Sequence, residues 1–296
     1  METSELLKKV RKIEIKTRGL SNQIFSGEYH SAFKGRGMAF SEVREYVAGD
    51  DIRAIDWNVT ARLNHPFVKV FEEERELTVM LLVDVSGSGD FGTKTQFKRD
   101  MITELCAVLS FSAIQNNDKI GIIFFSDQIE KFIPPKKGKS HILRIIRELI
   151  DFKPAHSKTD LAQALRYFTN VIKKRSIAFL ISDFIDNNIS DKKKTVEDAL
   201  KIAGKKHDVV ALRIYDEREI YLPDMGLITI ADAETGEVRW IDSGSAIVRK
   251  EFEIGARNYE RELNDLFKRC GVDCTSIRTD QNYVQPLMKL FKKRGK

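Results

Sequence analysis

The sequence predicts an α/β protein with a mostly parallel sheet flanked by helices and an N-terminal extension or small subdomain. From Leu77 onwards, apolar segments of about six residues alternate with amphipathic segments of helical period. The strand-like segments are apolar at successive positions, as in Val79–Val83 and Ile120–Phe125. Such continuous apolar runs are typical of parallel strands that are buried on both faces.

Each element of the first half follows from its local pattern. Thr78–Asp84 is a buried strand, and Phe97–Gln115 is a helix with apolar residues at helical spacing and Asn116 as its stop signal. Further strands are expected at Lys119–Phe125 and Gln128–Ile133, the latter ended by Pro134 and Pro135, and helices at Ser140–Asp151 and Leu161–Lys174.

The second half continues the alternation. A strand at Ser176–Ser182, a helix at Lys193–Lys205 and a strand at Asp208–Tyr215 come first. A glycine-containing turn between Leu227–Ala231 and Glu237–Ile241 predicts a hairpin. The last expected elements are a helix over Ala246–Arg269 that ends at Gly271, a strand at Val272–Ile277 and a helix at Val284–Lys293.

Residues 1–76 have a different texture from the rest of the chain. They contain one short helical pattern, Leu6–Ile13, followed by a stretch rich in glycine, charged and aromatic residues. We therefore predict an N-terminal region over 1–76 and an α/β domain over 77–296.

Composition restricts the class of protein. With 42% hydrophobic and 32% charged residues, the chain is expected to be globular. The N-terminus lacks an uninterrupted apolar stretch, and no apolar run approaches the roughly 20 residues that span a bilayer. We therefore expect a cytoplasmic protein without a membrane span, although a membrane-associated partner complex stays open. The net charge of +6 comes from local lysine and arginine clusters, but no nucleic-acid-binding motif accompanies them, so nucleic acid is not an expected partner.

Cysteine and histidine residues give little sign of chemistry. The three cysteines, Cys106, Cys270 and Cys274, lie in apolar contexts without further ligands nearby, and are expected to be buried free thiols. The histidines His141, His156 and His207 have no nucleophile beside them and are expected at the surface or at caps.

Polar side chains follow the predicted strands at one edge of the sheet. Asp84, Ser86 and Ser88 come after the first strand, and Asp183 follows a later one. Thr159 precedes a predicted helix, which begins at this same edge if it runs antiparallel to the strands, as a crossover helix must. In parallel sheets the functional crevice lies beyond the carboxyl ends of the strands. Each loop alone could be an ordinary turn or helix cap, but the three together indicate a site.

Two carboxylates and three hydroxyls are hard oxygen ligands. They suit Mg²⁺ or Mn²⁺, with Ca²⁺ as a further option, and do not suit zinc. Neutral hydroxyls would leave a coordination position open to a carboxylate from a partner protein. The spacings of a phosphate-binding loop and of a nucleophile elbow are both missing. We therefore expect a binding protein and not an enzyme. The alternative is a Mg²⁺- or Mn²⁺-dependent phosphohydrolase or nuclease, with Asp90, Asp160 or Asp186 as general base.

The Asp-x-Ser-x-Ser sequence, the later threonine and the later strand-end aspartate together resemble the metal-ion-dependent adhesion site of von Willebrand factor A domains. The resemblance implies that Asp84, Ser86, Ser88, Thr159 and Asp183 coordinate the metal, directly or through water. Two departures stand out. The loop continues through Gly89–Gly92, and Phe184 occupies a position that is glycine in many such domains.

The N-terminal region resembles a second signature. Residues 26–76 contain Gly35-Arg36-Gly37, Phe40-Ser41-Glu42, Gly49-Asp50-Asp51-Ile52-Arg53 and Ile55-Asp56-Trp57, which are similar to the bacterial family called domain of unknown function 58. Such proteins are typically encoded beside MoxR-type AAA+ ATPases. The resemblance implies an adaptor that acts with such an ATPase, and with an acidic protein ligand, in complex assembly or metallo-cofactor maturation. The charged segment over 44–62 is either a structural, charge-paired turn or a contact surface for the ATPase.

Overall fold

The computed structural model describes residues 13, 38–73, 77–90, 97–185, 189–232 and 236–294. These residues belong to two compact units, one within Lys34–Leu77 and a larger one that includes Thr78 and all that follows. The helical pattern expected over Leu6–Ile13 lies outside the described residues, apart from Ile13. The predicted division into 1–76 and 77–296 stays a prediction.

The smaller unit is an antiparallel strand pair with a short helix between its strands. β1 (Met38–Glu45) pairs with β2 (Phe67–Glu73), and α1 spans Trp57–Leu63. The Asp56 side chain begins α1 by accepting hydrogen bonds from the backbone N–H groups of the two residues after Trp57, at 3.0 and 3.3 Å. The helix ends at Asn64, whose φ of 55° is the left-handed conformation in which asparagine is tolerated.

The larger unit is built on a six-stranded sheet. Its strands are β3 (Thr78–Asp84), β4 (Lys119–Phe125), β5 (Ile129–Lys136), β6 (Ile177–Ser182), β7 (Asp208–Tyr215) and β10 (Asp273–Arg278). They are ordered β10-β7-β6-β3-β4-β5, and every neighbouring pair is parallel except β4 with β5. The predicted fold class, a mostly parallel α/β sheet flanked by helices, is confirmed.

Among the described residues, the helices that accompany the sheet are α2 (Lys98–Gln115), α3 (Lys139–Asp151), α4 (Leu161–Val171), α5 (Ile189–Lys206), α6 (Ala246–Cys270) and α7 (Val284–Arg294). The strands β8 (Leu227–Ala231) and β9 (Val238–Asp242) form the expected antiparallel hairpin. Gly271 ends α6 with a φ of 67°, as its sequence position predicts. In the described parts of the chain, no helix is long and apolar enough to cross a membrane.

Alternate residues of the central strands enter cores on opposite faces of the sheet. Met80 and Leu82 of β3 belong to a cluster with α4, α5 and α6. Leu81 and Val83, which point the other way, are also buried, and α2 packs against this strand. Burial on both faces explains why β3, β4 and β6 read as continuous apolar runs.

One predicted strand end is wrong. The strand β5 does not stop before the two prolines but continues through Pro134 and Pro135 to Lys136. Because β5 lies at the edge of the sheet, it bonds only to β4, and an edge strand tolerates the missing proline N–H. The helix expected over Leu161–Lys174 ends earlier, at Val171.

The strand order places a crevice beside β3. The chain builds outward from β3 through β4 to β5, then crosses back to β6 and continues to β7 and β10. The order therefore reverses between β3 and β6, and open α/β sheets bind ligands outside the carboxyl ends of the strands at this reversal. Asp84 and Ser182 are the last residues of these two strands.

Candidate metal-binding site

The loop after β3 is folded back on its own carboxylate. The backbone N–H of Ser86 donates to Asp84 Oδ1 at 2.9 Å, and the Ser86 and Ser88 hydroxyl oxygens lie 3.1 Å apart. A 3₁₀ turn over Gly87–Asp90 follows. Asp84 and Ser86 are both buried. The alternation of Asp-x-Ser-x-Ser thus gathers a carboxylate and two hydroxyls in one short loop.

The loop after β6 joins this group directly. The Ser182 hydroxyl donates to Asp84 Oδ2 at 2.6 Å, so the ends of the two central strands are hydrogen-bonded across the point where the strand order reverses. Asp183 is buried, and its Oδ1 accepts from the backbone N–H of Ile185 at 3.1 Å. The structure therefore brings Asp183 to the same edge as Asp84.

The third predicted loop also reaches this edge. The Gly87 N–H donates to the Ser157 carbonyl at 2.9 Å, which attaches the loop before α4 to the loop after β3. Asp160 begins α4 by accepting from the Gln163 N–H at 2.9 Å. Thr159, only 2% exposed, is not needed as the cap, and its Oγ1 has no hydrogen-bond partner among the described residues. A buried hydroxyl without a partner is uncommon and needs an explanation, such as an ion.

The electrostatics of the pair Asp84 and Asp183 favour a cation. Burial, followed by repulsion from Asp183, raises the pKa of Asp84 to about 6. Two carboxylates brought together out of water are stabilised by any positive charge placed beside them. Together with the partnerless Thr159 hydroxyl and the adjacent Ser86 and Ser88 hydroxyls, the donor set fits a hard divalent ion.

A lysine that was not predicted also belongs to the site. Lys98, at the start of α2, is 1% exposed, and its Nζ lies 2.8 Å from Asp183 Oδ2. The same ammonium group contacts the carboxylate of Glu219, in the 3₁₀ turn after β7. Burial lowers the pKa of Lys98, but the carboxylates of Asp183 and Glu219 outweigh it, so the pKa is raised. The sequence holds one signal: Lys98 continues the apolar spacing of Met101 and Leu105 on the buried face of α2.

The surroundings of Phe184 show how a phenylalanine is accommodated at a position that is glycine in many von Willebrand factor A domains. Its φ is 62°, a left-handed conformation that favours glycine, yet the side chain is buried against Phe267 with ring centroids 5.1 Å apart. The Tyr259 hydroxyl donates to the Phe184 carbonyl. The loop after β6 therefore keeps the backbone conformation that glycine would allow, while an aromatic side chain anchors it in the core.

Asp160, a general-base candidate of the hydrolase alternative, has a structural role. Asp160 caps α4, as described above. Asp186 lies outside the described residues, as does the side chain of Asp90. Within the part of the chain that the structure describes, no group of three or more His, Cys, Asp or Glu residues is placed to hold a metal. The candidate site thus depends on its hydroxyls as well as its carboxylates.

The remaining predictions on cysteine and histidine are partly wrong. Cys106 is a buried free thiol, but Cys270 and Cys274 are half-buried. His141 and His207 are buried: His141 Nε2 bonds to the Ile120 carbonyl at 3.0 Å, and His207 packs on an aromatic ring. Of the three histidines, His156 is exposed as expected.

Three acids of the charged segment over 44–62 have local partners. Asp50 accepts two hydrogen bonds from the Arg44 guanidinium, at 2.6 and 2.8 Å, and Asp51 accepts from the Arg53 N–H at 2.9 Å. Asp56 caps α1. These contacts support a structural role for the acids, whereas Arg53 and Trp57 are exposed.

Comparisons with known proteins agree with the motif of the N-terminal region. The chain is 28% identical to an uncharacterized protein of Mycobacterium tuberculosis strain H37Rv, over 99% of this chain and 91% of that protein.

Two solved structures are similar at low identity. One is the conserved hypothetical protein BatB from Bacteroides thetaiotaomicron, at 14% identity and a TM-score of 0.43 over 74% of this chain and 98% of that chain. The other is a von Willebrand factor type A protein from Catenulispora acidiphila, at 11% identity and a TM-score of 0.39 over 78% and 44% of the two chains. With TM-scores below 0.5, neither likeness bears on function.

A family model described as "Protein of unknown function DUF58" matches residues 42–262, which is more than half of the chain. The protein therefore belongs to the DUF58 family.

Proposed function

We propose that this protein is a non-enzymatic interaction module that binds an acidic partner side chain through a divalent metal ion, and that its partner is a MoxR-type AAA+ ATPase. The metal would be held by Asp84, Ser86, Ser88, Thr159 and Asp183. The observation that carries the proposal is the buried Thr159 hydroxyl, which has no hydrogen-bond partner among the described residues and lies in a loop joined to the loop of Asp84, whose carboxylate interacts with that of Asp183.

The chemistry of the site supports binding more than catalysis. A divalent ion there would supply an open coordination position that a partner's carboxylate can fill. Asp84 is held by Ser86 and Ser182, and Asp183 by Ile185 and Lys98, so both carboxylates are fixed in place before any ligand arrives. Such fixed groups suit a rigid binding site. The suggestion of a MoxR-type ATPase comes from the family resemblance alone.

The metal part of the proposal is tested by Thr159→Val. Because Thr159 Oγ1 has no partner in the described part of the chain, replacing it by a methyl group should leave the free energy of unfolding unchanged or raise it by up to about 1 kcal/mol. The variant should bind Mn²⁺ at least about tenfold more weakly than the wild type, measured by calorimetry or electron paramagnetic resonance.

The matched control is Thr169→Val. Thr169 is also a buried threonine, but it lies inside α4 and its hydroxyl donates to the Arg166 carbonyl at 2.9 Å. Its replacement should leave Mn²⁺ affinity as in the wild type. Equal Mn²⁺ affinity in Thr159→Val and wild type would remove Thr159 from the metal-binding set.

The partner is tested by a pull-down with a purified MoxR-type ATPase. Binding should weaken in EDTA and in Asp84→Ala, since both treatments remove the bridging ion. Binding that persists under both conditions contradicts the metal bridge. Hydrolysis of a phosphoester or nucleic acid that requires Mn²⁺ and disappears in Asp84→Ala would instead favour the hydrolase alternative.

A further inference from the structure

Lys98 is unusual among the charged residues of the larger unit. Its side chain is among the largest that are fully buried, and it reaches from the start of α2 to the loops after two different strands. Its ammonium group pairs with Asp183 after β6 and with Glu219 after β7. A buried ammonium group is tolerated only when it is paired in this way.

The loops after the neighbouring strands β3, β6 and β7 supply three carboxylates that interact with one another or with Lys98. These are Asp84, Asp183 and Glu219, against the single ammonium group of Lys98. When all four groups are ionised, three negative charges and one positive charge leave a net charge of −2. A divalent ion would neutralise that remainder. Without the lysine, the same carboxylates would carry −3.

We propose that Lys98 is the resident counter-cation of this site. It neutralises Asp183 and Glu219 when no metal is bound, so the fold does not require the ion, and its positive charge holds down the affinity for the ion. The proposal rests on the proposed function in taking Asp183 as part of the metal-binding set. It adds that metal binding here is tuned by a residue that is not itself a ligand.

The geometry explains why the ammonium group would lower the affinity for the ion as well as stabilise the folded protein. The Lys98 ammonium group donates to Asp183 Oδ2, while Asp183 Oδ1 accepts from the Ile185 N–H. Asp183 is therefore shared between the lysine and any bound cation. Like charges that face one carboxylate repel each other, and this repulsion is strong in a buried site.

The test compares the full-length wild type with Lys98→Met, using MnCl₂ as the probe. The variant keeps an unbranched apolar side chain but loses the charge. We expect its Mn²⁺ affinity to rise at least about tenfold, because one repelling charge is gone. In EDTA its melting temperature should fall below that of the wild type by about 5 °C or more, and saturating Mn²⁺ should restore most of that loss. Wild-type melting should change little on addition of EDTA.

A second variant keeps the proposal testable if Lys98→Met does not fold. Glu219→Gln removes the charge of one carboxylate that pairs with Lys98, so the ammonium group competes more fully with the ion for Asp183. Its Mn²⁺ affinity should fall severalfold. Glu217→Gln is the control in the same turn, since Glu217 pairs with Arg278 at 3.4 Å and should affect Mn²⁺ binding less. Equal affinity in Glu219→Gln and wild type would overturn the proposal.

The outcomes separate this proposal from the proposed function. In one outcome the wild type binds Mn²⁺, and Lys98→Met binds it equally well or more weakly. If the melting temperature of Lys98→Met is also lower than that of the wild type by the same amount in EDTA and in Mn²⁺, Lys98 has only a structural role. The metal-dependent function then stands. If only Lys98→Met binds Mn²⁺, the counter-cation is supported and the metal-dependent function is wrong. If neither protein binds Mn²⁺, both proposals fail.

Discussion

Phe184 combines an unfavourable backbone conformation with a well-packed side chain. A non-glycine residue in the left-handed region costs roughly 1–2 kcal/mol. Fully burying a phenylalanine side chain contributes about 1.5–3 kcal/mol, and Phe184 is 1% exposed. Burial can therefore offset the strain. The loop that carries Asp183 is held from the core side, which helps to fix the carboxylate without any contribution from a metal.

Asp84 should make stability depend on pH in an unusual direction. Its pKa of about 6 in the folded protein lies above the ordinary value of 3.8. The folded state therefore binds more protons between these values, and this contribution to stability falls as pH rises from about 4 to about 6 and is constant above. The cost at neutral pH is up to about 3 kcal/mol.

Asp84→Asn should remove this dependence. The amide oxygen can still accept from the Ser86 N–H, and the amide nitrogen can donate to the Ser182 hydroxyl. In EDTA at pH 7 the variant should be more stable than the wild type, and the two curves of unfolding free energy against pH should converge near pH 4. Taking the difference cancels other groups, such as His207, whose pKa burial lowers to about 4. Parallel curves would show that Asp84 is not the group responsible.

At the scale of elements, the pairing of β4 with the edge strand β5 depends on Gly121. A Cβ atom at this position would lie 2.8 Å from the Pro135 backbone nitrogen, 2.9 Å from the Ile133 carbonyl oxygen and 2.9 Å from Met80 Sδ. Two of these atoms belong to the backbone of β5 and cannot move aside alone. The absence of a side chain at Gly121 is therefore what lets the proline-containing strand approach β4.

Gly121→Ala should destabilise the protein by about 1–3 kcal/mol, because the two strands must separate. The matched control is Gly255→Ala, in an exposed turn of α6 where a Cβ atom would have no neighbour within 4 Å. That change should stabilise the protein by up to about 1 kcal/mol through helix propensity. Chemical denaturation of both variants measures the two effects. A loss at Gly255, or no loss at Gly121, would contradict this view of the β4–β5 pair.

Elements defined by local pattern could be predicted closely. The bounds of β3, β4 and β7 agree residue for residue, because β3 and β4 are continuous apolar runs bounded by polar residues and β7 is such a run interrupted only at Arg213. The end of β5 could not be predicted in this way, because a proline indicates the end of a strand unless the strand is known to lie at the edge of a sheet. The edge position of a strand is a property of the assembled sheet and not of the local sequence.

At the scale of the whole molecule, the strand order decides which residues meet. Asp84 and Ser182 are far apart in sequence but end neighbouring strands. The parallel topology of the sheet was therefore enough to predict that the loops after these two strands meet. The pairing of Lys98 with Asp183 and Glu219 could not be predicted, since it requires the side chain to cross from a helix to two loops that no local pattern links. The fold and the meeting of these loops were therefore accessible from sequence, whereas the pairing of Lys98 was not, and the assignment of oxygen ligands stays a prediction.

The distribution of buried side chains leads to a prediction about independent folding. The buried apolar side chains of the described residues lie between Val79 and Phe291, with Val68 as the one exception. A core that large should fold by itself, whereas the smaller unit, in which Val68 is the one buried apolar side chain among those described, should not. A fragment of residues 77–296 is therefore expected to unfold cooperatively on heating, and a fragment of residues 38–76 to show no cooperative transition. Far- and near-ultraviolet circular dichroism of the two fragments measures this. If the longer fragment lost its near-ultraviolet signal and bound a hydrophobic dye, its core would depend on residues 1–76, and the predicted division of the chain would be wrong.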